Sequence, residues 1–159
     1  MTSPTTPLDP EKQPALGRVD VYEEWRKRER VPLVGGVYIR DMKAVEVGPW
    51  ARKGDGVKGA LCYLDGDDEG DEHIVELPPG GSTAPQRHMY TEATYIVSGH
   101  GSTSVWRDKG PKQTFEWGPG SYFVLPTNAW HQFFNASLSR SARWFSVTDL
   151  PQLLRQWAS

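Results

Sequence analysis

The chain has 159 residues, 18 Lys and Arg against 20 Asp and Glu, and a formal net charge of −2. That length suits one domain, and the charge balance excludes the basic footprint of a nucleic-acid binder and gives an anionic membrane nothing to attract. Cys62 is the one cysteine, which excludes an intrachain disulfide framework and a zinc–thiolate cluster.

No apolar run approaches the ~18 residues of a membrane span. The first residues lack the apolar core of a secretory signal, so a cytoplasmic location is expected. With 16 Gly, 13 Pro, 7 Trp and 6 Tyr, the composition favours an all-β domain over a helical bundle.

Residues 1–19 read as a flexible tail. Pro4, Pro7, Pro10 and Pro14 stand among Thr, Ser and Lys, with little apolar content to offset ordering entropy. Residues 20–30 predict a helix. Asp20 can cap it, Glu23 completes a capping-box pattern, and Val21, Tyr22 and Trp25 give an apolar side. The charged run from Arg26 to Arg30 reads as a solvated face.

Between Val31 and Thr148, short apolar runs alternate with Gly, Pro, Asn and Asp. Candidate strands are 36–40, 43–47, 59–64, 73–77, 86–89, 93–97, 102–106, 114–116, 121–125, 131–134 and 142–147. This spacing predicts a β-sandwich or barrel. Residues 149–159 predict a closing helix, with Asp149 as cap, Pro151 in the first turn, and a stripe of Leu150, Leu153, Leu154 and Trp157. The expected organisation is thus a tail (1–19), a domain with an N-terminal helix (20–148) and a C-terminal helix (149–159).

Some residues imitate known sites. Asp65, Asp67, Glu69, Gly70 and Glu76 have EF-hand spacing, but strand-like flanks and Glu72 at an apolar position make an acidic hairpin turn the better reading. His73 and His100 stand beside turn signals and read as surface residues. The sequon at Asn135–Ser137 carries no weight without secretion, and Cys62 in an apolar strand reads as buried.

Two stretches are more informative. In PPGGSTAPQRHMYTEATYIVSGHG, Gly80 precedes Gln86 by five residues, His88 follows after one residue, Glu92 after three more, and Gly99 after a further six. In GPGSYFVLPTNAWHQFFN, Gly120 precedes Pro126 by five residues, followed at fixed intervals by Asn128, His131 and Asn135. These intervals resemble the two motifs of the cupin superfamily. Gln86 stands where that pattern has its first histidine, and Asn128 where it has a turn glycine. The resemblance implies a small antiparallel jelly-roll barrel, or double-stranded β-helix, that holds a metal and is often a homodimer.

The residues support such a site directly. Gln86 and His88 are two apart on one strand and share a face. Met89–Thr91 can turn the chain so that Glu92 starts the returning strand, and His131 lies on another apolar strand. Two imidazoles and a carboxylate suit Fe(II) with open positions, and also Mn, Ni, Co or Zn. Gln86 would be a weak or conditional fourth ligand. Tyr90, between His88 and Glu92, is either an exposed turn residue or a catalytic phenol at the rim. Trp106, Phe123, Trp130, Phe133 and Trp144 are barrel filler, of which Trp106, Phe123, Trp130 and Phe133 are expected to reach the substrate. Arg87 and Arg143 either hold a carboxylate or face solvent.

The runs PPGGSTAPQRHMY and TYIVSGHGSTSVW are similar to cupins of the gentisate and hydroxynaphthoate dioxygenase type, which carry two cupin halves; this chain resembles one half standing alone. The resemblance implies an Fe(II) oxygenase for a small aromatic or carbonyl-containing substrate. Two alternatives stay open: a redox-neutral metal-dependent lyase or isomerase, and a non-catalytic small-molecule-binding cupin.

Overall fold

The computed structural model describes residues 20–64 and 69–158. The expected tail, and Asp65 and Asp67 of the acidic turn, lie outside these residues.

Helix α1 (Val21–Glu29) begins where expected. The Asp20 carboxylate accepts from the Tyr22 amide at 3.1 Å, and Arg30 ends the helix in the left-handed region at φ 55°. Tyr22 is fully buried. Strands β1 (Leu33–Val34), β2 (Gly48–Pro49), β3 (Lys58–Cys62) and β4 (Asp71–Leu77) follow. After them come β5 (Glu92–Ser98), β6 (Gly101–Trp106), β7 (Gln113–Trp117), β8 (Tyr122–Leu125), β9 (Trp130–Asn135) and β10 (Ala142–Thr148). Helix α2 (Leu150–Ala158) closes the described chain and packs on α1.

The strands form two sheets. The larger runs β1-β3-β4-β10-β5-β8, with β2 also on β3; the smaller runs β7-β6-β9. All pairs are antiparallel except β1 with β3. Residues 82–86 extend the smaller sheet along β9 through bridges at Ser82–Phe134 and Gln86–His131. The core lies between the sheets. Phe133 of β9 stacks on Trp144 of β10 with ring centroids 4.3 Å apart, so one aromatic pair joins the two layers. The all-β barrel expected from composition and strand spacing is the observed architecture.

Three predicted strands differ. Residues 36–40 are irregular, and Val37 and Tyr38 are 74% and 68% exposed, with no layer to cover them. Residues 43–47 are not a strand because Arg143 Nη1 takes the carbonyls of Met42, Lys43 and Val45 at 2.8, 3.0 and 2.9 Å. Those acceptors are lost to a sheet ladder, and Met42–Ala44 forms a 3-10 turn instead. Segment 86–89 keeps only the bridge at Gln86, because the His88 carbonyl accepts from the Asn128 amide at 2.8 Å.

The second helix also starts differently. The cap is the Thr148 hydroxyl, which accepts from Leu150 N at 3.2 Å, while the Asp149 carboxylate accepts from Thr91 N at 2.8 Å. Trp157 does not join the buried stripe and is exposed.

Gly101 sits in β6 under the Trp117 ring, where a Cβ would run into the Phe134 carbonyl across the β6–β9 ladder. Gly101→Ala is therefore expected to cost about 1–3 kcal/mol of stability. Urea unfolding should show a lower midpoint with an unchanged slope.

Candidate metal centre

Three chain segments converge at one end of the barrel. Glu92 is the first residue of β5 and is paired to Leu125 of β8 and Thr148 of β10, in the larger sheet. His131 is on β9, in the smaller sheet. His88 lies two residues beyond the Gln86 bridge, in the segment that leaves the smaller sheet for the larger. One ligand atom from each of His88, Glu92 and His131 lies within 4.8 Å of the other two.

His88 is fixed from several sides. Its Nδ1 donates to the Tyr90 carbonyl at 2.9 Å, which leaves Nε2 with its lone pair. The Tyr90 ring stacks on the imidazole at 3.8 Å and 4°. Asn128 supports the His88 carbonyl from a left-handed conformation at φ 61°, so it makes the turn for which the motif has glycine. His88 Nε2, Glu92 Oε1 and His131 Nδ1 are buried and without hydrogen-bond partners. Each such orphan costs about 1–3 kcal/mol. A divalent cation in their midst would offset that cost, so the donor set fits a metal.

The protonation states fit as well. Burial lowers both site imidazoles, His131 to about 4, against the opposing pull of Glu92. Burial pushes the Glu92 carboxyl up, but the Lys53 ammonium and His73 outweigh it and hold it well below the usual carboxylate range. Two neutral imidazoles and an ionised carboxylate are the forms that bind metal.

Lys53 and His73 were not legible as site residues. His73, expected at the surface, is 3% exposed. Its Nδ1 bonds Asp71 Oδ2 at 2.9 Å, and its Nε2 faces Glu92 Oε1 at 3.5 Å. Burial pushes this imidazole down, but the Asp71 charge outweighs it and raises it overall. Asp71 also accepts from the Tyr22 and Thr148 hydroxyls, each at 3.0 Å, so a buried polar chain runs from α1 to Glu92. A signal existed: His73 is two residues from Val75 and four from Leu77, both in the core. Lys53 gave no such signal. It ends the 3-10 turn Ala51–Lys53 and is 5% exposed. Trp50 Nε1 and Arg52 Nε anchor that turn by donating to Glu29 at 2.8 and 2.6 Å.

Gln86 is held apart from the cluster. Its Oε1 accepts from Lys53 Nζ at 3.2 Å and its Nε2 donates to the Arg52 carbonyl at 3.1 Å. A cavity of about 310 Å³ opens beside it, lined by Arg52, Gln86, Arg87, His88, Tyr90 and Trp130. Trp106 stacks on Trp130 at 6.4 Å and lies outside that lining. Phe133 is a buried core residue, and Phe123 packs on it and on Phe115. Arg143 neither holds a carboxylate ligand nor faces solvent: its guanidinium is spent on the three carbonyls above and on Glu76 at 2.9 Å. Asn135 is a structural clip, donating to the carbonyls of Leu77, Pro78 and Arg140. His100 is exposed as expected. Cys62 is buried, and burial pushes its thiol up to about 12.

Two facing sheets with a His–His–carboxylate cluster between them define a small β-barrel with a candidate metal centre. Residues 73–148, just under half of the chain, match the family model described as the Cupin domain. It is 36% identical over 75 residues to 5-aminosalicylate 1,2-dioxygenase of Comamonas sp., covering 47% of this chain and 18% of that enzyme. The chain thus spans less than a fifth of this curated relative's length. Among solved structures, the Schizosaccharomyces pombe Cnp3 cupin domain superposes with a TM-score of 0.58 at 14% identity, over 74% of this chain and 77% of that one. Lactobacillus farciminis oxalate decarboxylase, in its formate complex, gives 0.57 at 20% identity, over 70% of this chain and 34% of that one. The structural likenesses establish the jelly-roll cupin fold.

Asp71→Ala should expose how much the buried chain behind Glu92 contributes. It strips His73, Tyr22 and Thr148 of their common acceptor. Breaking one partner of a buried ion pair costs about 3–5 kcal/mol, so the apo-protein should lose that much in urea unfolding. Asp71→Asn, which keeps an acceptor oxygen, should lose less.

Proposed function

We propose that this chain is a metal-dependent cupin enzyme, an oxygenase that uses Fe(II) and acts on a small aromatic or carbonyl-bearing substrate. The observation that carries the reading is the convergence of buried donor atoms on His88, Glu92 and His131, the His88 and His131 nitrogens without a hydrogen-bond partner and the Glu92 oxygen facing His73 Nε2 at 3.5 Å. Two imidazoles and one carboxylate are the ligand set of non-haem Fe(II) sites with open positions, and Mn, Ni, Co or Zn are accepted by the same donors. Support for an oxygenase comes from the 75-residue stretch that is 36% identical to 5-aminosalicylate 1,2-dioxygenase. Residues 20–148 are read as the functional unit of this enzyme, with the helix at 149–159 flanking it.

A bound Fe(II) would supply the redox chemistry toward O2 that protein side chains lack. The chain's own residues bind and orient. His88, Glu92 and His131 hold the metal from one side, and the cavity beside His88 admits a ring-sized substrate. Trp130 offers that ring an aromatic wall. Burial pushes the Tyr90 phenol up, so it keeps its proton and acts as a hydrogen-bond donor at the rim.

His131→Ala is expected to abolish metal occupancy while leaving the far-UV circular dichroism native. Metal analysis of anaerobically purified protein measures the first, and full occupancy in the variant overturns the site. Fe(II)-loaded wild type should consume O2 when given 2-hydroxybenzoates. Substrate conversion without O2 uptake would instead make the protein a redox-neutral lyase or isomerase.

The same reading includes a homodimer. Tyr95, Tyr122, Val124 and Val147 are exposed on the adjoining strands β10, β5 and β8, and β8 ends the larger sheet. An exposed apolar face on an edge strand gains by being covered. Light scattering at micromolar concentration should report twice the chain mass, and a monomer mass rejects the dimer.

A further inference from the structure

Lys53 is a buried lysine without an adjacent counter-charge; burial pulls its ammonium down and Glu92 pulls it back up. Its Nζ donates to the neutral amide oxygen of Gln86 at 3.2 Å and stands 5.1 Å from the centre of the Trp50 ring. Among the described residues, no carboxylate lies within ion-pair distance of it. A buried charge in that condition is costly until an anion meets it. The anion that acts on it most strongly is Glu92, whose carboxylate is also a metal-ligand candidate. A divalent metal held by His88, Glu92 and His131 would meet only one ligand charge, that of Glu92, so the loaded site would remain short of negative charge.

The approach to Lys53 has the same sign. Gln86 lines the open cavity and is also the hydrogen-bond partner of Lys53, so a single amide separates the cavity from the ammonium. Arg52 and Arg87 line that cavity, paired to Glu29 and Asp108 that lie outside its lining, and none of its described lining residues is acidic. The Gln86 amide oxygen is a neutral acceptor in a place where a carboxylate oxygen would bind more strongly.

We propose that Lys53 recognises the anionic oxygen of the substrate, displacing the Gln86 amide, so that the site selects organic acids over their uncharged analogues. The proposal rests on the metal-site reading above and deepens it. Lys53 acts here as a specificity residue, and Gln86 as the oxygen that gives way when the anion arrives.

The test compares two probes of equal shape, 2-hydroxybenzoate and 2-hydroxybenzamide, by calorimetric titration of the metal-loaded protein under nitrogen. The wild type should bind the acid at least about tenfold more tightly than the amide, the gain expected of one charge-assisted hydrogen bond. Lys53→Met and Lys53→Gln should cut the acid-over-amide ratio at least about fivefold at full metal content. Lys53→Arg should keep most of the preference, and Gln86→Ala all of it. Because each ratio is taken on one folded, metal-loaded variant, a general loss of packing does not imitate the result. A wild type that takes up no metal overturns the metal reading and this proposal with it. Full metal uptake with the tenfold preference intact in Lys53→Met and Lys53→Gln overturns the Lys53 assignment alone.

Discussion

Glu92 is a carboxylate at 2% exposure that remains ionised. Burying such a charge is prohibitive without compensation, and much of the surrounding structure supplies it. Lys53 comes from a 3-10 turn before β3, and His73 from β4. His73 is in turn held by Asp71, which draws on Tyr22 of α1 and Thr148 at the end of β10. The N-terminal helix, although far from His88 in sequence, is thus tied to the site through one line of buried polar contacts. That line explains why an otherwise polar helix keeps a fully buried tyrosine.

The barrel makes the convergence possible. Glu92 belongs to the larger sheet and His131 to the smaller, so their distance depends on how the sheets are clamped together. The stack of Phe133 on Trp144 performs that clamping from β9 to β10. Phe133 is two residues from His131 on the same strand face, and Trp144 is a neighbour of Ile96 in the ladder to β5. Phe133, one of the rings expected near substrate, is therefore part of the spacer that sets the site. The cavity wall falls instead to Trp130 and Tyr90.

Much of this was legible in the sequence because the governing patterns are local. Strand alternation and turn residues located β3 to β10 within a few positions, and motif spacing singled out His88, Glu92 and His131. What escaped depended on contacts remote in sequence. The Arg143 guanidinium claims carbonyls about a hundred residues away and turns an apparent strand at 43–47 into a 3-10 turn. Asp149 has the look of a cap but bonds to Thr91, across 58 positions. His73 was misjudged because a turn signal beside it outweighed the strand parity it shares with Val75 and Leu77. Lys53 had no pattern at all: a lysine after Trp-Ala-Arg reads as solvated until the turn folds it under Gln86.

The two departures from the cupin motifs differ in kind, and the difference is physical. Asn128 replaces a glycine whose task is a left-handed backbone, and asparagine can adopt φ 61° and still donate its amide to His88. Its side chain gains a task besides, accepting from Arg87 Nε at 3.0 Å. Gln86 replaces a histidine whose task is a lone pair, and its amide is turned to Lys53 and to the Arg52 carbonyl. An imidazole at that position would have left Lys53 to face a group able to carry positive charge itself. An amide oxygen accepts from Lys53 at any pH, whereas an imidazole accepts only while neutral and only through a nitrogen that a metal would also claim. The exchange removes one neutral donor from the candidate metal set and leaves a cation beside it. The two changes act together: the fewer ligands the protein supplies, the more of the coordination and charge balance falls to whatever enters the cavity.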